Sequence, residues 1–242
     1  MVSKKKVMLV FGTRPEAIKM APVYHAIKAC PEEFELTLCV TAQHRQMLDQ
    51  VLRVFDMVPD IDLDLMKEGQ DLFDVTANVL LAMREVLRDN RPDVLLVHGD
   101  TATTFASSLA AFYAGIKVGH VEAGLRTNNL QEPFPEEFNR QVTSKLSSWH
   151  FAPTEYSREN LLKEGVDTSS VFVTGNTVID ALFWALKKAE VDSEMKILIH
   201  QRLASIVPFS LEDTRFVLIT GHRRENFGDG FLNICEALRD LA

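Results

Sequence analysis

Short apolar runs alternate with stretches of helical spacing along most of this chain. The runs Val7 to Val10, Phe34 to Thr41, Val94 to His98, Lys117 to Val121, His150 to Ala152 and Val171 to Thr174 predict strands. Between and after them, the spacing predicts helices over Pro15 to Lys28, Arg45 to Phe55, Phe73 to Asp89, Thr103 to Ala114, Glu136 to Leu146, Glu155 to Glu164 and Val178 to Ala189. Pro22 falls inside the first helix and is expected to kink it. Strand and helix in alternation imply a parallel, doubly wound α/β sheet.

The alternation changes near Asp192. A polar, proline-bearing stretch from Asp192 to Asp213, partly helical in pattern, is the expected linker. Beyond it come one strand, Phe216 to Thr220, the segment Gly221-His222-Arg223-Arg224-Glu225-Asn226, and a helix from Phe231 onward. One strand and one helix cannot bury a core. This tail is expected to dock on the first domain or another chain, or to be the start of a second domain in a longer protein; the last is preferred.

Composition narrows the partners. At 242 residues, 46% apolar and 25% charged, the chain suits one large or two modest globular domains. A net charge of -8 argues against nucleic acid or an anionic membrane, although a local basic cleft can still hold a phosphate. Three widely spaced cysteines, Cys30, Cys39 and Cys235, fit neither a disulfide framework nor a zinc motif and point to the cytoplasm. The apolar stretch after Lys4 to Lys6 is too short for a signal peptide, and no segment is long enough to span a bilayer.

Candidate chemistry gathers where strands end. The opening run Val7 to Val10 leads directly into Phe11-Gly12-Thr13-Arg14-Pro15-Glu16, a strand, glycine turn and helix, which is where an open α/β sheet builds its ligand crevice. Pro15 suits the first helical position and biases Arg14 away from helical dihedrals, so Arg14 is expected to project into the crevice. Lys19, one turn on, would bring a second cation to the same anion. The plainer alternative is a capped helix with two solvated cations. Asp100 and Glu122 follow the apolar strands ending at His98 and Val121, and Glu136 and Glu137 arrive between Pro135 and the pair Asn139, Arg140. Clustered carboxylates raise one another's proton affinity, as acid/base chemistry at neutral pH requires. For Glu137 a helix-start role is the stronger reading.

Period-two spacing would put His98 with Asp100, and His120 with Glu122, on shared strand faces, so a metal site is the rival reading. No further ligand stands at a recognisable spacing, and neither metal nor cofactor is expected.

Phe11 to Met20, His98-Gly99-Asp100-Thr101, His120 to Arg126, Pro135-Glu136-Glu137 with Asn139-Arg140, Gly175-Asn176-Thr177 and Thr220 to Arg224 together resemble the non-hydrolysing UDP-N-acetylglucosamine 2-epimerases. The resemblance runs in order through the whole chain. It implies two Rossmann-like domains of the glycosyltransferase-B type, the first over residues 1–190 and an incomplete second, with its linker, over 191–242. It also implies interconversion of UDP-N-acetylglucosamine and UDP-N-acetylmannosamine through loss of UDP to 2-acetamidoglucal, for surface polysaccharide, by a cytoplasmic homodimer. On the same ground Asp100, Glu122, Glu136 and His222 are catalytic candidates, and Arg14, Lys19, Arg140 and Arg223 substrate-binding ones. Gln43, His44 and Gln46 match a place where bacterial members bind a second substrate molecule; a helix start with a polar first turn explains them as well.

Two other functions stay open. A glycosyltransferase of the same architecture would transfer the sugar without touching its carbon-2 hydrogen. A non-catalytic fragment would bind nucleotide sugar or nothing.

Overall fold

The computed structural model describes residues 3–42, 45–219 and 228–241. They form two compact units, Met1–Val191 and Asp192–Ala242.

The first unit is a seven-stranded parallel sheet: β1 (Lys5–Phe11), β2 (Phe34–Val40), β3 (Ile61–Asp62), β4 (Val94–His98), β5 (Lys117–Val121), β6 (Trp149–Ala152) and β7 (Val171–Val173). The helices are α1 (Arg14–Lys28), α2 (Arg45–Val54), α3 (Leu72–Asn90), α4 (Ala102–Tyr113), α5 (Glu136–Leu146), α6 (Glu155–Lys163) and α7 (Thr177–Val191). Strand order is β3-β2-β1-β4-β5-β6-β7. The chain therefore winds outward from β1 to one edge, returns to lay β4 on the other side of β1, and winds to the opposite edge. The reversal lies between β1 and β4, where such sheets open a crevice at their carboxyl ends.

Alternate residues of the central strands feed two cores. Leu9, Phe11, Leu38 and Val40 pack with residues of α1 and α2 on one face; Met8, Val10, Leu95 and Val97 pack with α3 and α4 on the other. Met8, Leu9, Val10 and Phe11 are all fully buried. Each such side chain stabilises the fold by about 2 kcal/mol, which is why these strands read as unbroken apolar runs. The turn after β5 runs close against α6: a Cβ on Gly124, whose φ is +88°, would lie 2.2 Å from the Ser157 carbonyl oxygen. α7 returns to the start of the unit, where Trp184 stacks on His25 and Phe55 with centroids 5.6 and 4.9 Å apart.

Three sequence expectations change. α1 begins at Arg14, one residue earlier than expected, with Thr13 as its cap. The two-residue β3 was not foreseen; it is held by pairing with Cys39 and Val40. The strand expected at Phe216 to Thr220 is not formed over 216–219, and Thr220 lies outside the described residues. A parallel strand needs a neighbour for its backbone groups, and among the described residues this segment has none.

The second unit holds α8 (Ser193–Ile206) and α9 (Asp229–Leu241). Between them, Val217 and Leu218 are 83% and 80% exposed. Among the described residues no helix is long and apolar enough to cross a membrane.

Candidate active site

Three turns leave the carboxyl edge of the sheet around its reversal point. After β1, Gly12 and Thr13 lead into α1. Arg14, expected outside the helix, is its first residue; it is exposed and has no hydrogen-bond or ion-pair partner among the described residues. Thr13 takes the extended cap conformation, so Pro15 restricts no non-helical residue but sits one position further in. Glu16 turns back under the loop. Its Oε2 accepts from the Gly12 and Thr13 N–H groups at 3.1 and 2.8 Å, and its Oε1 lies 2.8 and 3.1 Å from the hydroxyls of Thr101 and Thr104. Burial pushes its carboxyl above the ordinary range against those hydrogen bonds.

After β4, Gly99 adopts φ +68°, and Asp100 follows before Thr101 caps α4. The Asp100 carboxylate, 30% exposed, meets Arg140 Nη2 at 3.0 Å. Asn139 Nδ2 donates to the Asp100 carbonyl at 2.9 Å. Burial raises the Asp100 carboxyl to about 6; Arg140 opposes this, while Glu136, Glu122 and Glu16 add to it. Asp100 thus holds its proton close to neutral pH.

After β5, Glu122 stands at φ +63°. Lys19 Nζ bonds both of its carboxylate oxygens, at 2.8 and 2.6 Å, and His98 Nε2 lies 3.8 Å away. The shared-face expectation fails here for a local reason. Positive φ at Gly99 and Glu122 breaks the period of two, so Glu122 approaches His98, and Asp100 turns to α5. His120 instead donates from Nε2 to the Gly99 carbonyl at 2.7 Å, beside His150 in the ladder. Burial, reinforced by Lys19, lowers His98 to about 3; burial likewise lowers His120 to about 3 and His150 to about 4. All three imidazoles are neutral. Among the described residues no group of three or more His, Cys, Asp or Glu is placed to hold a metal ion.

α5 closes the site. Glu136 lines a cavity of about 570 Å³ together with Asp100, Thr101 and Asn139, and keeps one buried carboxylate oxygen without a partner among the described residues. Residues 66–70 form another wall of that cavity. Glu137 points elsewhere. It is fully buried, which opposes its charge, yet Thr127 and Asn128 N–H groups, Gln141 and Arg140 hold its carboxyl below the usual range. It fastens the loop after Gly124 through the Thr127 and Asn128 N–H groups, a role distinct from the helix-start reading of its position.

The structure therefore brings Asp100 and Glu136 to one cavity, with Glu122 beside Gly99: Glu122 Oε1 lies 3.9 Å from where a Cβ on that glycine would be. Lys19 and Arg140 do not stand free; each is ion-paired to a site carboxylate. His222, Arg223, Gln43 and His44 lie outside the described residues, as does the side chain of Gln46. Glu16 was not singled out from the sequence. Its signal was the spacing Thr13-x-x-Glu16, a capping box at a ligand-binding turn.

Comparison with known proteins agrees with this picture. The family model described as UDP-N-acetylglucosamine 2-epimerase matches residues 25–242. The UDP-N-acetylglucosamine 2-epimerase of Escherichia coli K12 is 56% identical over 237 residues, 98% of this chain and 62% of that protein. The crystal structure of UDP-GlcNAc 2-epimerase from Neisseria meningitidis bound to UDP-GlcNAc superposes with TM-score 0.88 at 52% identity, covering 98% of this chain and 62% of the other. The structure of a similar Listeria monocytogenes protein gives TM-score 0.85 at 51% identity, with 99% and 60% covered. The chain spans about 62% of the length of the curated relatives it matches, and its parallel sheet with alternating helices bears out the α/β expectation.

Proposed function

The chain belongs to the UDP-N-acetylglucosamine 2-epimerase family, and from that premise we propose that it carries the acid/base half of such an isomerase. In this reading it interconverts UDP-N-acetylglucosamine and UDP-N-acetylmannosamine without a cofactor, as a cytoplasmic homodimer supplying surface-polysaccharide precursors. The observation that carries the reading is the meeting of Asp100 and Glu136 on one cavity at the sheet's reversal point, with Glu122 adjoining.

The reaction explains why acids are needed there. No carbonyl activates carbon 2 of the sugar, so its proton is not lost readily. Cleavage of the bond from carbon 1 to UDP, with the electron pair leaving on UDP, makes carbon 1 cationic and acidifies the neighbouring C–H. A carboxylate takes that proton, the C–H electrons form the carbon 1–carbon 2 double bond, and 2-acetamidoglucal and UDP result. A proton delivered to the opposite face, with a UDP oxygen rebonding to carbon 1, gives the epimer. Glu136, with its unengaged oxygen, is the acceptor in this scheme; Asp100, protonated near pH 6, is the donor. Glu122 faces the developing cation, its charge moderated by Lys19. Arg14, exposed and unpaired among the described residues, is the cation for the diphosphate, with His222 and Arg223 assigned there from the family motif.

Incubation with UDP-N-acetylglucosamine in heavy water tests this. The wild-type chain is expected to place deuterium on carbon 2, and Asp100→Asn, Glu122→Gln and Glu136→Gln each to slow this by about 10²–10⁴-fold. Wild-type rates in all three would remove these residues from the mechanism. Sugar transfer without exchange would identify a glycosyltransferase, and calorimetric binding of UDP without exchange a binding fragment.

A further inference from the structure

We infer that Glu16 is a positioning residue: its carboxylate latches the turn after β1 to the turn after β4 and so fixes where Asp100 stands. The catalytic consequence rests on the epimerase reading; the latch itself does not.

The ladder between β1 and β4 explains why a latch is needed. Its register runs Val7 to Val94, Met8 to Leu95 and Leu9 to Leu96, and stops there, two residues short of the end of each strand. The two strands part where the crevice opens, and no backbone pairing ties Phe11 and its turn to His98 and its turn. Glu16 crosses that gap. One oxygen takes two N–H groups from the first turn, and the other contacts two hydroxyls from residues 85 and 88 positions away. The residue is 2% exposed. Thr101, one of the bridged residues, follows Asp100 directly and caps α4, so its hydroxyl transmits the position of Glu16 to the Asp100 backbone.

A helix cap alone would look different. The third helical residue of a capping box needs only to reach the cap N–H, and glutamine serves there as well as glutamate. Here that N–H occupies one oxygen, and the second is directed across the gap. Burying a carboxylate costs several kcal/mol unless its lone pairs are filled, so a residue kept for capping alone would not be enclosed this way.

The test uses Glu16→Gln in the 242-residue chain, with two readouts. In the ligand-free chain, carboxyl ¹³C NMR follows the titration of Asp100. The charged groups facing Asp100 are Arg140 and Glu136 of α5, Glu122 after β5 and Glu16 of α1, and the substitution alters only the last. The Asp100 midpoint is expected to fall by about 0.5 pH or more, as the turn loosens and the Asp100 carboxyl gains solvent. In heavy water, the carbon-2 exchange is expected to lose about tenfold or more in kcat with KM changed less than about threefold, a split that marks misplacement of a reacting group. An unmoved Asp100 midpoint in folded Glu16→Gln overturns the latch, whatever the turnover. A shifted midpoint in a chain whose wild type shows no exchange upholds the latch and overturns the epimerase reading. Should Glu16→Gln fail to fold, Thr101→Val removes the crossing hydroxyl while leaving Glu16 its backbone donors, and the same titration decides: a fall supports the latch, no change overturns it.

Discussion

Two segments of this chain carry nearly the same run of apolar residues and meet opposite fates. Met8-Leu9-Val10-Phe11 forms the middle of the sheet, fully buried, whereas Phe216-Val217-Leu218-Ile219 makes no strand and is between 51% and 83% exposed. Side-chain chemistry does not separate them. What differs is the company: β1 has β2 on one side, β4 on the other and helices over both faces, and 216–219 has no ladder neighbour among the described residues. An apolar run states a requirement for neighbours; the element exists only where the rest of the unit supplies them.

Amide hydrogen exchange gives the sharpest contrast. β1 is expected to open only with the whole unit, roughly 10⁴-fold or more slower than an unprotected chain, while 216–219 exchange at nearly free rates. Equal protection in the two segments would break the comparison. Next in size is substitution. Gly124→Ala forces a Cβ to within 2.2 Å of a carbonyl oxygen at φ +88° and is expected to cost more than about 4 kcal/mol in urea unfolding. Leu218→Ser, at an 80% exposed position, should stay within about 0.5 kcal/mol.

Acid provides a third contrast. His98, His120 and His150 remain neutral in the fold, yet gain protons near pH 6.5 once released. Their contribution is fully present above that value and is lost as pH falls toward 4. Asp100 and Glu16 act with the opposite sign, because the folded state holds protons there that the unfolded chain releases. Three uptakes outweigh these two opposing groups, so the first unit should lose stability as pH falls from about 6 toward 4. Urea unfolding at pH 7, 6 and 5 measures it, and a flat profile would contradict the buried neutral imidazoles.

The same contrast explains what could be read without a structure. β4, β5 and α5 were legible to the residue because the strand and helix patterns there span the whole element and stop at polar or turn residues. β3 was not, since two residues carry no period and only pairing with Cys39 and Val40 defines them. Asp100, Glu122 and Glu136 could be picked out because strand ends at a sheet reversal are where ligands bind. Lys19 read as a free cation, for its partner stands 103 residues away. Glu122 and His120 were assigned one face, and positive φ at a non-glycine residue, which spacing does not reveal, separates them. Glu16 could not be singled out, because the early end of the β1–β4 ladder, which gives it a gap to span, leaves no mark in the sequence.

The seam that returns α7 to α1 supplies its own gauge. Trp184 stacks with the rings of His25 and Phe55, with the Lys188 ammonium 4.9 Å from its ring centroid and that lysine anchored to Val54 and Asp56. The chain has two tryptophans, and with Trp149 replaced by phenylalanine the emission of Trp184 becomes a single optical signal for the undocking of this helix, one that needs no added label.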